Sequence, residues 1–271
     1  MPELPEVETV VRTLRPRLTA RRIDQVQLFR KDILRPAGTD LPSLLLNRTV
    51  EQITRRGKKI VFQLDDGSRF FIHLGMTGRL TLQTPDSPRQ PHTHLIMTFA
   101  QDQLRFTDPR RFGGIFWLGQ ADTAGAGLGP EPLEIRPKQL AARLSRTRRA
   151  VKTALLDQSL IAGLGNIYAD EALFAAGIHP QTPAHKLSSV QIAALNCGIK
   201  QVLRRALRHR GSTLRDYRDA NGQAGNFQKF RRVYDRAGQP CQNCRTTIVR
   251  IVLGGRSSHF CPKCQVRSNG L

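Results

Sequence analysis

Two Cys-x2-Cys pairs, Cys241/Cys244 and Cys261/Cys264, lie 16 residues apart near the end of the 271-residue chain. That spacing suits one tetrahedral, four-thiolate structural zinc site. Between the pairs, Thr246-Thr247-Ile248-Val249-Arg250-Ile251-Val252 leads into Gly254-Gly255, which predicts a β-hairpin clamped by the metal. Two disulfides are the alternative. No leader pattern is present, so a cytosolic setting that keeps thiols reduced is expected, and zinc is favoured. Pro240-Cys241-x2-Cys244 is also half of a zinc-deaminase signature, but none of the seven His residues has Glu two places on. The zinc is therefore expected to be structural rather than catalytic. Cys197 is read as part of a long helical stripe and is expected to be a small buried apolar residue.

Upstream the hydrophobic period changes once. Ile60–Leu64 with Arg69–Leu74, and Leu95–Phe99 with Leu104–Thr107, each flank a polar turn; with Ile115–Leu118 they predict an antiparallel sandwich. A Gly/Ala-rich stretch, Ala124–Pro130, reads as a linker. Beyond it the period is helical. Leu155-Leu156 and Ala169–Ala176 flank the turn Ala162-Gly163-Leu164-Gly165-Asn166-Ile167, while Ser188-Ser189-Val190-Gln191 opens a stripe of Ile192, Leu195, Ile199, Val202, Leu203 and Ala206. The Gly turn lacks the third glycine of a dinucleotide fingerprint, because Tyr168 stands there. Its backbone N–H groups at a helix start suit a phosphate instead.

Charge names the partner class. Lys and Arg number 43 against 21 Asp and Glu, giving +22. From Ile135 onward there are 24 basic and 6 acidic residues, +18, against +4 for residues 1–134. A half so basic points to a polyanion, nucleic acid first. With three Tyr and one Trp, aromatic stacking of single strands is thinly supplied, so duplex binding fits better. No apolar run reaches 18 residues, which argues against a membrane span.

The first residues, Met1-Pro2-Glu3-Leu4-Pro5-Glu6, carry chemistry of their own. Val7, Val10, Val11 and Leu14 keep the spacing of one helix face, which would hold the chain start in place. Removal of Met1 would leave Pro2 as a secondary amine, with Glu3 beside it. An α-amino group has a pKa of about 7.7–8.0, and the positive helix end disfavours its ammonium form. A prolyl amine that attacks a sugar C1′ gives an iminium that is cationic without a further proton. The same residues also read as an ordinary helix start with capping chemistry.

Taken together, these segments resemble the bacterial formamidopyrimidine-DNA glycosylases over essentially the whole chain. The matching motifs are Pro2–Thr9, His73–Gly78, Thr107–Gly113, Leu128–Leu133, Ala162–Glu171 and the four-cysteine ribbon. The resemblance implies an α+β fold: an N-terminal helix and antiparallel β-sandwich over 1–120, a linker over 121–134, a helix-two-turn-helix domain with a lesion-covering loop over 135–232, and a zinc finger over 233–271. It further implies a bifunctional enzyme of base excision repair, acting as a monomer in the bacterial cytoplasm and nucleoid. Its partner would be duplex DNA carrying oxidised purines or abasic sites. Such an enzyme excises 8-oxoguanine and formamidopyrimidines through a prolyl Schiff base, then cuts the abasic strand by β,δ-elimination.

By the same resemblance Pro2 is the nucleophile, Glu3 the general acid, and Lys58 a phosphate-binding catalytic cation, with Lys59 a competitor for that role. Met76, Arg110 and Phe112 would fill the gap left by a flipped base. His94, Lys152, Asn166 and Arg256 would contact DNA, Cys241, Cys244, Cys261 and Cys264 would hold the zinc, and residues from about Arg218 to Phe227 would cover the extruded base. Asp235 stands where the family usually has glycine, which places the turn geometry there in question. Two other readings stay open: an endonuclease VIII-like enzyme for oxidised pyrimidines, against which Leu4 and Arg110 argue, and a zinc-ribbon DNA-binding protein without catalysis.

Overall fold

The computed structural model describes residues 1–121, 123–213 and 217–267. Residue 122 of the expected linker, residues 214–216, and the end of the expected zinc segment, 268–271, lie outside them. Chain contacts group the protein into two compact units, Met1–Ala126 with His209–Gln228, and Gly127–Arg208 with Lys229–Leu271.

The first unit opens with helix α1, Leu4–Leu18. Leu4, Val7, Val10, Val11, Leu14 and Leu18 are all fully buried, as the 3.6-residue period requires. β1 (Gln25–Leu28), β2 (Leu34–Arg35), the short helix α2 (Leu41–Leu45) and strands β3 (Val50–Arg56), β4 (Lys59–Leu64), β5 (Arg69–His73), β6 (Arg79–Gln83), β7 (Thr93–Phe99), β8 (Asp102–Thr107) and β9 (Gly114–Gly119) follow. They form two sheets, ordered β1-β7-β8-β6 and β2-β9-β5-β4-β3. One cluster of buried apolar side chains, including Ile60, Phe62, Phe70, Leu95, Met97 and Phe106, draws on both sheets and on α1. The expected strands and their antiparallel pairings are present; the parallel pairing of β2 with β9 is an addition. It spans two residues, too few for any period to show.

Residues 209–228, grouped by sequence with the helical segment, pack in this first unit. Tyr217 and Ala220 join its core, and the Leu82 N–H donates to the Ala220 carbonyl at 2.8 Å.

The second unit contains α3 (Pro137–Leu144), α4 (Val151–Leu156), α5 (Asn166–Ala175) and α6 (Ser189–Arg208), then the hairpin β10 (Val249–Leu253) and β11 (Arg256–Phe260). The capping box predicted for α6 is formed: Ser188 N–H donates to Gln191 Oε1 at 3.0 Å, and Gln191 N–H to Ser188 Oγ at 3.2 Å. Cys197 departs from expectation. It is exposed, because it lies two residues from both Leu195 and Ile199, which turns it to the opposite face of α6 from the buried stripe. Asp235 does adopt the left-handed conformation a glycine would take, with φ +57°. Among the described residues no helix is long and apolar enough to cross a membrane.

Candidate functional site

The chain start is held from both sides of Glu3. Pro2 is buried, Glu3 is 3 % exposed, and Met1 is 52 % exposed. Glu3 is the N-cap of α1 and shares a reciprocal capping box with Glu6; its N–H donates to Glu6 Oε2 at 2.8 Å. The other oxygen of Glu6 accepts from Ser212 N–H at 2.6 Å, and Tyr217 Oη–H donates to the Glu6 carbonyl at 3.2 Å. Burial, and then the nearby Glu6 carboxylate, push the Tyr217 phenol up, so it stays a neutral donor. Glu6 is 2 % exposed. Its role was hidden because its partner lies 206 residues away.

Lys58 sits in the tight turn between β3 and β4, strands on which α1 packs, and is itself buried. Lys59 is committed elsewhere: Nζ donates to the Ala124 carbonyl at 2.9 Å and lies 4.4 Å from the centre of the Phe71 ring. Burial lowers its pKa, with the Arg56 charge adding to the effect. Lys58 bears on its neighbour His73, whose pKa is lowered by burial first and then by the Lys58 and Lys59 charges. The neutral ring that results accepts the Gly75 N–H at Nδ1, 3.2 Å away.

Met76, Arg110 and Phe112 stand together on two loops, 74–78 and 108–113. Met76 is 42 % and Phe112 56 % exposed, and the Arg110 guanidinium lies 4.5 Å from the Phe112 ring centre. Exposed apolar side chains next to a stacked guanidinium form a wedge suited to a base stack. The loops touch through backbone: a Cβ on Gly75, φ +60°, would come within 2.4 Å of Gly113 N. Only glycine fits there. His94 does not join the exposed group. It is 5 % exposed, and its Nε2–H donates to the Asp108 carbonyl at 2.8 Å, so it supports the loop from within.

In the second unit Lys152, Asn166 and Arg256 converge on the start of β11. Arg256 is exposed and follows the Gly254-Gly255 turn, whose φ values of +52° and +72° suit a two-residue hairpin loop. Asn166, at the first turn of α5, donates from Nδ2 to Ser257 Oγ at 3.2 Å. Lys152, expected among the DNA contacts, is fully buried instead. Its Nζ lies 2.7 Å from Asp170 Oδ1 and bonds the Ser257 carbonyl. An isolated buried ammonium is costly, and Asp170 supplies the counter-charge. Asp170 Oδ2 also accepts His259 N–H at 2.9 Å, while Glu171 accepts three successive backbone N–H groups, of Arg232, Val233 and Tyr234. This acidic pair on α5 thus grips both the hairpin and the segment before it. The pair lies inside the Ala162–Glu171 motif, yet nothing local marks its partners.

The four cysteine sulfurs all lie within 4.8 Å of one another, and they form the one such group among the described residues. Tetrahedral Zn–S bonds of about 2.3 Å need sulfurs about 3.8 Å apart. Separations of 3.4 Å for Cys244–Cys261 and 3.9 Å for Cys241–Cys264 fit that requirement. Asn243 N–H and Cys264 N–H point to Cys241 Sγ and Cys261 Sγ, each at 3.4 Å, as donors to thiolates. The donor set and geometry fit one structural zinc.

Residues 1–115 match the model of the formamidopyrimidine-DNA glycosylase N-terminal domain, 128–218 that of the H2TH domain of the same enzymes, and 238–266 a zinc finger found in FPG and IleRS. A formamidopyrimidine-DNA glycosylase of Solibacter usitatus is 47 % identical, over 98 % of this chain and 100 % of that one. Among solved structures, Lactococcus lactis Fpg in complex with abasic-site DNA superposes with TM-score 0.91 at 36 % identity, covering 98 % of this chain and 100 % of that one. MutM with carbocyclic 8-oxo-G DNA gives the same four values.

Proposed function

The chain belongs to the formamidopyrimidine-DNA glycosylase family, and from that premise we propose that it excises oxidised purines from duplex DNA and then cuts the strand at the resulting abasic site. The observation that carries the reading is the fixed chain start, with Pro2 and Glu3 buried at the head of α1 and Glu3 bound to Glu6. Once Met1 is removed, the Pro2 nitrogen attacks C1′ of the damaged nucleotide as the base leaves with its bonding electrons. The nitrogen gives up its own proton, which balances the one taken by the departing base; Glu3 delivers a proton to the ring oxygen, the C1′–O bond opens, and the Pro2 nitrogen and C1′ form an iminium. That cation acidifies the C2′ hydrogen. Loss of the proton expels the 3′ phosphate, and a second elimination expels the 5′ phosphate. Hydrolysis of the iminium restores the amine.

Extruding the base costs a few kcal/mol of stacking and pairing. In this reading Met76 and Phe112 fill the space, Arg110 reads the orphaned cytosine, and residues 218–227 cover the extruded base. Lys58 binds the phosphate beside the lesion, and Asn166 and Arg256 bind backbone phosphates further along. Lys152, with Asp170, supports the strand that follows Arg256 and so acts on DNA indirectly. Cys241, Cys244, Cys261 and Cys264 hold one structural zinc, whose binding ties the hairpin together and takes no part in bond making. The protein works as a monomer in the bacterial cytoplasm, on nucleoid DNA.

The test compares single-turnover excision of 8-oxoguanine opposite cytosine with that of thymine glycol. A clear preference for 8-oxoguanine is expected; preference for thymine glycol would make this an endonuclease VIII-like enzyme instead.

A further inference from the structure

The plug and the reader share a buried mount. Asp108 is fully buried, and its two carboxylate oxygens bind two different loops. Oδ1 accepts from Thr77 Oγ1–H at 2.5 Å, and Oδ2 accepts from Gly113 N–H at 2.8 Å. Thr77 Oγ1 in turn accepts from the Arg110 N–H at 3.3 Å. The Asp108 carbonyl is held by His94 Nε2–H and its own N–H by the His92 carbonyl, at 2.8 and 3.1 Å. With the close backbone approach of Gly75 to Gly113, the loops are joined on both sides of Met76. A buried carboxylate is costly unless its acceptors are filled, and here they are filled across loops rather than by a cation. Behind Arg110, Arg111 takes φ +55° and turns its guanidinium onto Asp32 Oδ2 at 2.8 Å, away from the Arg110–Phe112 stack.

We propose that Thr77 and Asp108 are positioning residues that make Met76, Arg110 and Phe112 enter the duplex as one rigid unit, and so set the preference for the base opposite the lesion. This rests on the reading that these three side chains fill the gap left by the extruded base. Without the mount, two loops must be ordered separately at each insertion, and the guanidinium loses the fixed aim that separates cytosine from adenine. Neither Thr77 nor Asp108 is assigned to bond making at C1′, so cleavage of an abasic site serves as the control for the ratio.

Thr77→Val keeps the shape of the side chain and removes its hydroxyl; Thr77→Ser keeps the hydroxyl. Single-turnover excision of 8-oxoguanine opposite cytosine and opposite adenine, cleavage of an abasic site, and thermal unfolding are measured for both variants. Thr77→Val is expected to reduce the cytosine-over-adenine ratio about tenfold, the size of one lost charge-assisted hydrogen bond, with abasic cleavage within about twofold of the unaltered protein. Thr77→Ser restores the ratio. In an Arg110→Ala background Thr77→Val has no further effect on the ratio, because the reader it aims is gone. An unchanged ratio in Thr77→Val, no rescue by serine, or an equal loss on both backgrounds overturns the proposal. If the unaltered protein excises no 8-oxoguanine, the functional reading fails first, and the proposal with it.

Discussion

Glu6 Oε1 accepts a 2.6 Å hydrogen bond from the backbone N–H of Ser212, at the other end of a 206-residue separation. Its second oxygen holds Glu3 N–H, so one carboxylate joins the chain start to the segment that leads into residues 218–227. The crowding is tight: a Cβ on Gly211 would meet Glu6 Oε1 at 2.5 Å. Glu6→Gln turns one acceptor into a donor facing an N–H. A loss of about 2 kcal/mol in urea unfolding is expected, along with slower excision and slower abasic cleavage, since both use Pro2. Unchanged stability would mean that the carboxylate is not what holds this turn.

Lys152 and Asp170 form an ion pair in which both side chains are fully buried. Removing one charge strands the other, so Lys152→Ala should cost about 3–5 kcal/mol, whereas replacing both residues with matched apolar side chains should cost much less. DNA affinity should fall only as far as the hairpin is disturbed. If Lys152→Ala instead folded normally and lowered the salt slope of DNA binding, the lysine would be a phosphate contact.

Arg256 at the hairpin tip gives the opposite pattern. Arg256→Ala should leave unfolding unchanged within about 0.5 kcal/mol and reduce the slope of log K against log salt by about one unit. Chelation of the zinc, or Cys244→Ser, should abolish DNA binding because the hairpin that carries Arg256 depends on the metal. Metal-free protein with undiminished affinity would contradict this account of the ribbon.

Asp235 has φ +57°, a conformation that glycine takes without steric penalty and that Asp tolerates better than residues without a short polar side chain. Asp235→Ala should therefore be less stable than Asp235→Gly by about 1 kcal/mol. Equal melting temperatures for the two variants would place the turn outside the left-handed region in solution.

These residues also show where sequence reading stops. The stripe of α1 and the capping box of α6 were legible because their spacing is local, and the cysteine ribbon because two Cys-x2-Cys pairs 16 residues apart match the ligand spacing of one zinc ion. The role proposed for Met76, Arg110 and Phe112 comes from a resemblance; the structure stacks Arg110 on Phe112 and brings their loop against the one that carries Met76. Cys197 lies on the same helix as the stripe but two residues from both Leu195 and Ile199, and that spacing puts it on the exposed face. The resemblance placed His94 and Lys152 among the DNA contacts; both are buried, on the Asp108 carbonyl and the Asp170 carboxylate, partners that only folding brings to them. Thr77, Asp108 and Glu6 all lay inside recognised motifs, yet their partners are 31 and 206 residues away.

The nucleophile proposed for both steps is the Pro2 nitrogen. Borohydride reduction during reaction with 8-oxoguanine duplex, followed by mass mapping of the cross-linked peptide, tests it directly. A DNA adduct on Pro2 is expected only in molecules that have lost Met1, and none with Pro2→Gly; an adduct on another residue, or one that persists unchanged after Pro2→Gly, would place the nucleophile elsewhere.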